Sequence, residues 1–151
     1  MRLFFYGTLM EAGGNRVAAA AHTRLGRIGA ATARGRLYAI ADRRGWYPAL
    51  MPGSDEVFGV VYEALPSFGD SDLARIDAYE GYDPQQLAAS LYRRAAINLD
   101  MIGIDAARRE QAPSAAMAYL YNRTLPADAP VIPGGNFEQW LRQTGNPGFC
   151  P

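Results

Sequence analysis

Leu3-Phe4-Phe5-Tyr6 is apolar or aromatic on both faces, the pattern of a strand covered on both sides, and Gly7-Thr8 breaks it at once. Asn15, followed by Arg16, Val17 and the alanine run 18–21, predicts a capped helix ending near His22. Residues 24–33, rich in glycine and alanine, predict a connection or a weak strand, and RGRLYAI (Arg34 to Ile40) a second strand. Two prolines among bulky aromatics predict that Arg43 to Gly53 is a loop with apolar anchors. VFGVVYEA (Val57 to Ala64) is the clearest strand, with Gly59 marking a bulge or a close approach of neighbouring backbone. Leu91 to Leu99 predicts another strand, residues 100–113 a polar loop, and Ala115 to Tyr121 the last strand. Asn136 caps a final short helix, FEQWLRQ.

Between the middle strands, Asp70 to Gly81 predicts a helix with Ser71 as its N-terminal cap and Gly81 past its last turn. Leu73 and Ile76 define its inward stripe. Glu80 follows Ile76 by four residues and Leu73 by seven, so helical period puts its carboxylate on the same stripe. A carboxylate there is costly unless compensated. Either hydrogen bonds satisfy it in the core, or it faces a cavity.

The strands mostly follow one another without helices between them. The predicted fold is α+β: a small mixed β-barrel of about five or six strands with short flanking helices, in a single domain over residues 1–151. Fifteen basic residues balance fifteen acidic ones, which argues against a general nucleic-acid binder. All fifteen basic residues are arginine, so lysine chemistry is excluded. Cys150 is the only cysteine and His22 the only histidine, which excludes an intrachain disulfide and a cysteine zinc site, and places His22 at a helix end or surface. No signal peptide or membrane span is legible, and the expected residence is cytoplasmic.

Three stretches carry candidate chemistry. Tyr6-Gly7-Thr8-Leu9 can turn a strand end so that successive N–H groups converge on a carboxylate or phosphate, or it is simply a tight turn. Glu80, near a negative helix end and on an apolar stripe, has a pKa raised towards the range of a general acid/base, with Asp77 one turn earlier as competitor. Tyr92 and Arg94 share a strand face, where they can hold a substrate carboxylate or carbonyl or form a structural ion pair with Asp77 or Glu80. The aromatic stretch from Gly45 to Leu50 either lines a pocket mouth or pins a loop.

The order FFYGTLM, WYPALMPG, GVVYEA, LARIDAYEGYDP, Tyr92-x-Arg94 and MAYLY resembles the γ-glutamylcyclotransferase-like superfamily, specifically its γ-glutamylamine-cyclotransferase-like branch, over about residues 1–143. The resemblance implies a small mixed barrel with a pocket at one end. It implies release of 5-oxoproline and a free amine from a small γ-glutamyl amine or peptide, without metal or cofactor, and with neither nucleic acid nor membrane as partner. It maps an acid/base glutamate onto Glu80 and a backbone cradle onto Tyr6, Gly7, Thr8 and Leu9, with Tyr92, Arg94 and Tyr119 of MAYLY as further substrate-binding positions. A non-catalytic small-molecule-binding domain of the same fold is the alternative. The eleven residues between Glu80 and Tyr92, including DPQQLAAS (83–90), and the 100–113 loop depart from the family pattern and leave the leaving amine open, as is the oligomeric state.

Overall fold

The computed structural model describes residues 1–11 and 15–151. Its strands are β1 (Arg2–Phe5), β2 (Leu25–Asp42), β3 (Gly45–Ala64), β4 (Tyr92–Ile104) and β5 (Ala115–Tyr121), closed into a barrel in the order β1-β3-β2-β4-β5. All neighbouring pairs are antiparallel except β1 with β5, which meet in parallel at Leu3 opposite Met117. Three helices flank it: α1 (Arg16–His22), α2 (Asp70–Tyr79) and α3 (Phe137–Thr144). The mixed barrel and the helices capped by Asn15 and Asn136 are as the sequence predicts.

The largest departure is the β2–β3 hairpin. Residues 24–33 belong to one continuous 18-residue strand, and the expected loop at 43–53 is the first half of a 20-residue strand beginning at Gly45. Small residues hid β2 because the barrel needs them: a Cβ on Gly29 would lie 1.9 Å from the Gly103 carbonyl oxygen across the β4 pairing. The prolines misled for a different reason. β1 pairs only with Val60–Glu63 of β3, so Pro48 and Pro52 lie where no barrel strand covers the second edge and a missing N–H breaks no ladder. Arg43-Arg44 turns the chain, with Gly45 at φ +119 directly opposite Asp42. The expected polar loop at 100–113 is likewise shorter: β4 runs on to Ile104 against Gly29, and a 3-10 helix occupies Ala106–Gln111.

Period-two alternation divides the apolar residues into two clusters. Phe4 and Tyr6 join Ile28, Leu37, Val57 and Val61 with Phe137 of α3 in one. Leu3 and Phe5 join Tyr62, Tyr92 and Tyr119 with Ala18 and Ala21 of α1 and Ile76 of α2 in the other. Gly59 is a close approach, since a Cβ there would sit 2.4 Å from the Phe5 carbonyl oxygen.

Helix α2 starts and stops by backbone chemistry. Its N-terminal cap is Gly69, not Ser71 as expected: the Asp72 carboxylate reaches back to the Gly69 N–H at 2.9 Å and also takes Arg24 at 2.9 Å, doing from inside the first turn what a capping serine does from outside. At the other end Gly81 is left-handed, φ +62. The Tyr82 N–H bonds the Asp77 carbonyl at 2.9 Å and the Gly81 N–H the Ala78 carbonyl at 3.2 Å, a Schellman closure that makes Glu80 the last helical-φ residue and fixes its direction.

Candidate active site

The closure of α2 places Glu80 in the wall of a cavity of about 360 Å³, within the small end of the range for small-molecule pockets. Tyr6, Gly7, Thr8 and Leu9 line it at the end of β1, Tyr92 from β4 and Tyr119 from β5. Six of the seven substrate-binding positions proposed from the sequence therefore share one cavity with Glu80.

Arg94 does not line that cavity. Of the readings open to it, the structure has the ion pair with Asp77: Nε to Oδ1 is 3.1 Å, and the guanidinium lies 5.6 Å from the centre of the Tyr82 ring. Asp77 Oδ1 also accepts the Tyr119 hydroxyl at 2.6 Å. The competing carboxylate is thus occupied by two partners. The Glu80 carboxyl group has no hydrogen-bond or ion-pair partner among the described residues.

That contrast sets the electrostatics. Burial first, and the negative charge of Asp77 second, push the Glu80 carboxyl from an ordinary 4.5 up to about 8. Tyr6 and Tyr92, both buried, are raised well above the usual phenol range, chiefly by burial, with Glu80 adding to the shift. They are neutral donors at any working pH, and they are spent on the frame: the Tyr6 hydroxyl donates to the Tyr119 carbonyl and the Tyr92 hydroxyl to the Pro48 carbonyl.

The turn after β1 is held from three sides. Gly7 packs against Pro48, whose Cγ lies 2.4 Å from where a Cβ would be. The His22 Nε2 meets the Leu9 carbonyl at 2.8 Å, and the Tyr62 hydroxyl donates to the Met10 carbonyl at 2.8 Å. The lone histidine is a helix-end clamp. The Gly7, Thr8 and Leu9 N–H groups donate to no acceptor among the described residues, while the Gly7 carbonyl is taken by the Met10 N–H at 2.9 Å.

Asn15 joins this turn to both helices. Its Oδ1 accepts the Val17 and Ala18 N–H groups, while its Nδ2 donates to the Thr8 carbonyl at 3.2 Å and the Tyr79 hydroxyl at 2.9 Å. Tyr79 in turn meets the Thr8 hydroxyl at 2.8 Å. Sequence reasoning finds Asn15 as a cap but misses its second pair of bonds, since nothing local signals a partner 64 residues away. Replacing Asn15 with Ala should lower stability by about 2 kcal/mol, read by thermal unfolding, because it removes a cap and the bonds that tie the Thr8 carbonyl and the Tyr79 hydroxyl to it.

The sequence also gives no signal for Phe149, which lines the cavity with Tyr47 and Pro48. Trp46, next to Tyr47, packs on Trp140 of α3 instead, so the aromatic stretch lines the cavity and also anchors the start of β3 rather than pinning a loop. Among the described residues no three His, Cys, Asp or Glu side chains gather to hold a metal ion, and no helix is long and apolar enough to cross a membrane.

The barrel fold with its short flanking helices recurs among solved structures. A solved uncharacterized protein from Pyrococcus horikoshii has it, at TM-score 0.62 and 14% identity over 96% of both chains. So does the protein ytfP from Escherichia coli, at TM-score 0.58 and 24% identity over 95% of this chain and 99% of that one. An AIG2-like protein from Mus musculus matches at TM-score 0.57 and 20% identity, over 86% and 84% of the two chains. No curated protein matches the sequence. The family described as gamma-glutamyl cyclotransferase, AIG2-like, matches residues 3–139, and the chain belongs to it.

Proposed function

We infer that the protein is a cofactor-independent γ-glutamyl cyclotransferase, releasing 5-oxoproline and a free amine from a γ-glutamyl amine or small γ-glutamyl peptide, with Glu80 as general acid/base. The observation that carries this reading is the partnerless Glu80 carboxyl sharing a small cavity with the unengaged N–H groups of residues 7–9. The substrate's α-amine attacks its own γ-carbonyl. A new C–N bond closes the five-membered ring, the old C–N bond breaks, and one proton passes from the attacking nitrogen to the leaving one. Because nucleophile and electrophile belong to one molecule, holding the chain folded supplies most of the gain. The 7–9 amides are suited to the α-carboxylate or to the developing oxyanion.

The proton step fits the site's electrostatics. The α-amine of a γ-glutamyl compound, beside its own carboxylate, titrates above the value of about 8 of a chain terminus. A carboxyl raised to about 8 comes far closer to it than an ordinary one, which lowers the free-energy cost of passing the proton to Glu80 and on to the leaving nitrogen. Small γ-glutamyl ligands suffice for this chemistry, and no step calls for a metal, a nucleic acid or a membrane.

The test is a panel of γ-glutamyl amines, γ-glutamyl amino acids and γ-glutamyl dipeptides, with 5-oxoproline as the readout. At least one class should turn over, with kcat/KM rising as Glu80 ionises and levelling above about pH 8. Saturable binding of several without any 5-oxoproline would overturn the reading and leave a small-molecule-binding domain.

A further inference from the structure

Residues 147–150 lie beyond the stretch that the family model matches, 3–139, yet one of them, Phe149, lines the site. The Trp46 N–H donates to the Pro147 carbonyl at 2.9 Å, the Phe149 N–H to the Trp46 carbonyl at 2.7 Å and the Cys150 N–H to the Arg44 carbonyl at 3.2 Å. The segment thus adds a short parallel edge to the start of β3, with Trp46 opposite Gly148. Gly148 is packed from behind as well, since a Cβ there would come 3.1 Å from Leu141 Cδ1. Backbone bonds on one side and α3 on the other hold the Phe149 ring in place.

That ring stands edge-on to two others, 6.0 Å from Tyr47 and 6.3 Å from Tyr79. It lines the Glu80 cavity. It also lines a second cavity of about 330 Å³, walled further by Glu11, Phe137, Glu138 and Leu141, and Gly7 and Thr8 are shared by the two cavities in the same way. The first cavity has a buried floor of Phe4, Tyr6, Tyr92 and Tyr119 and a more open rim of exposed Arg43 and Arg44 with half-buried Tyr47 and Phe149. With a γ-glutamyl group held by Glu80 and the 7–9 amides, the rim is the side of the cavity that would be left open to the leaving amine.

We propose that Phe149 is the specificity-determining partition of the site: its ring closes the Glu80 cavity off from the second cavity and so limits the size of the leaving amine. This rests on the γ-glutamyl reading above. Truncating the ring joins the two spaces, which admits a longer apolar leaving group without touching the groups that hold the γ-glutamyl end. Each methylene that gains or loses a place in an apolar pocket changes discrimination by about 10-fold or more.

The experiment compares γ-glutamyl-methylamide with γ-glutamyl-hexylamide in the wild type, Phe149→Ala and Phe149→Leu. The ratio of kcat/KM, hexylamide over methylamide, should rise at least about 10-fold in Phe149→Ala and by less in Phe149→Leu, through KM. A ratio unchanged in both variants, or a parallel loss on both substrates, would show that the segment merely supports the fold and would overturn the proposal. Dissociation constants for the two amides are measured alongside and judged by the same ratio, so a chain that binds without turnover still decides it. A wild type that neither binds nor converts either amide would instead overturn the γ-glutamyl reading beneath.

Discussion

Glu80→Gln should yield a folded barrel that releases 5-oxoproline at a rate lower by about 10²–10⁴-fold, the usual worth of a positioned acid/base. Glutamine keeps the shape of the side chain and its place in the helix closure but can neither take nor return a proton. Stability should move the other way. The Glu80 carboxyl titrates near 8 folded against an ordinary 4.5, so between those values the unfolded chain has lost a proton that the folded chain keeps. Wild-type stability therefore falls as pH rises from about 4.5 to about 8 and is flat above. The variant lacks this loss. The two should melt together below pH 4.5, and at neutral pH the variant should be more stable by about 3 kcal/mol, seen as a melting temperature higher by about 6–12 °C. Wild-type turnover by the variant on the best substrate would remove Glu80 from the chemistry. A variant that melts lower at neutral pH would mean that the carboxylate is a structural group.

The second large effect belongs to Asp77, which holds Arg94 and the Tyr119 hydroxyl while its charge works against the ionisation of Glu80. Asp77→Asn keeps an acceptor for the tyrosine and removes the charge. The Arg94 side chain, 19% exposed, is then a mostly buried cation without its counter-ion, at a cost of about 3 kcal/mol. With the like charge gone, ionising Glu80 becomes easier. The midpoint of the rise in kcat/KM should move below about 8, in the same variant that melts at a lower temperature. The pH profile separates this from simple weakening of the fold, since a positioning role shifts the midpoint and a purely structural one leaves it in place. Asp77 is in this sense a positioning residue whose electrostatic influence reaches the cavity through Glu80.

Legibility in the sequence followed how local each determinant is. The α2 closure could be read because Ile76, Glu80 and Gly81 sit within two turns and helical period relates them. Its start could not be read as well: the capping bond comes from Asp72 inside the helix, and a serine two residues after the true cap looked like the better candidate. The β2–β3 hairpin was cut into pieces because its small residues and prolines are chosen for close passage and for a partly free edge, which composition reports as weak strand or loop. The YGTL turn was visible as a turn, but what fixes it, His22, Tyr62, Asn15 and Tyr79, lies up to 71 residues away. Phe149 is further from any pattern. It sits in a short stretch of Pro and Gly whose role arises only when it lies down beside Trp46.

The parallel junction of β1 with β5 is the shortest seam of the barrel, one residue pair at Leu3 and Met117, and the Tyr6 hydroxyl bridges it further along by bonding the Tyr119 carbonyl. The residues that would grip a γ-glutamyl ligand lie on both lips of that seam, 6–9 on one and Tyr119 on the other. A ligand bound there would act as a staple across the barrel's thinnest closure. Occupancy and integrity of the barrel are then linked quantities: saturating ligand favours the closed form by RT ln(1 + [L]/Kd), and loosening the seam weakens binding by the same factor.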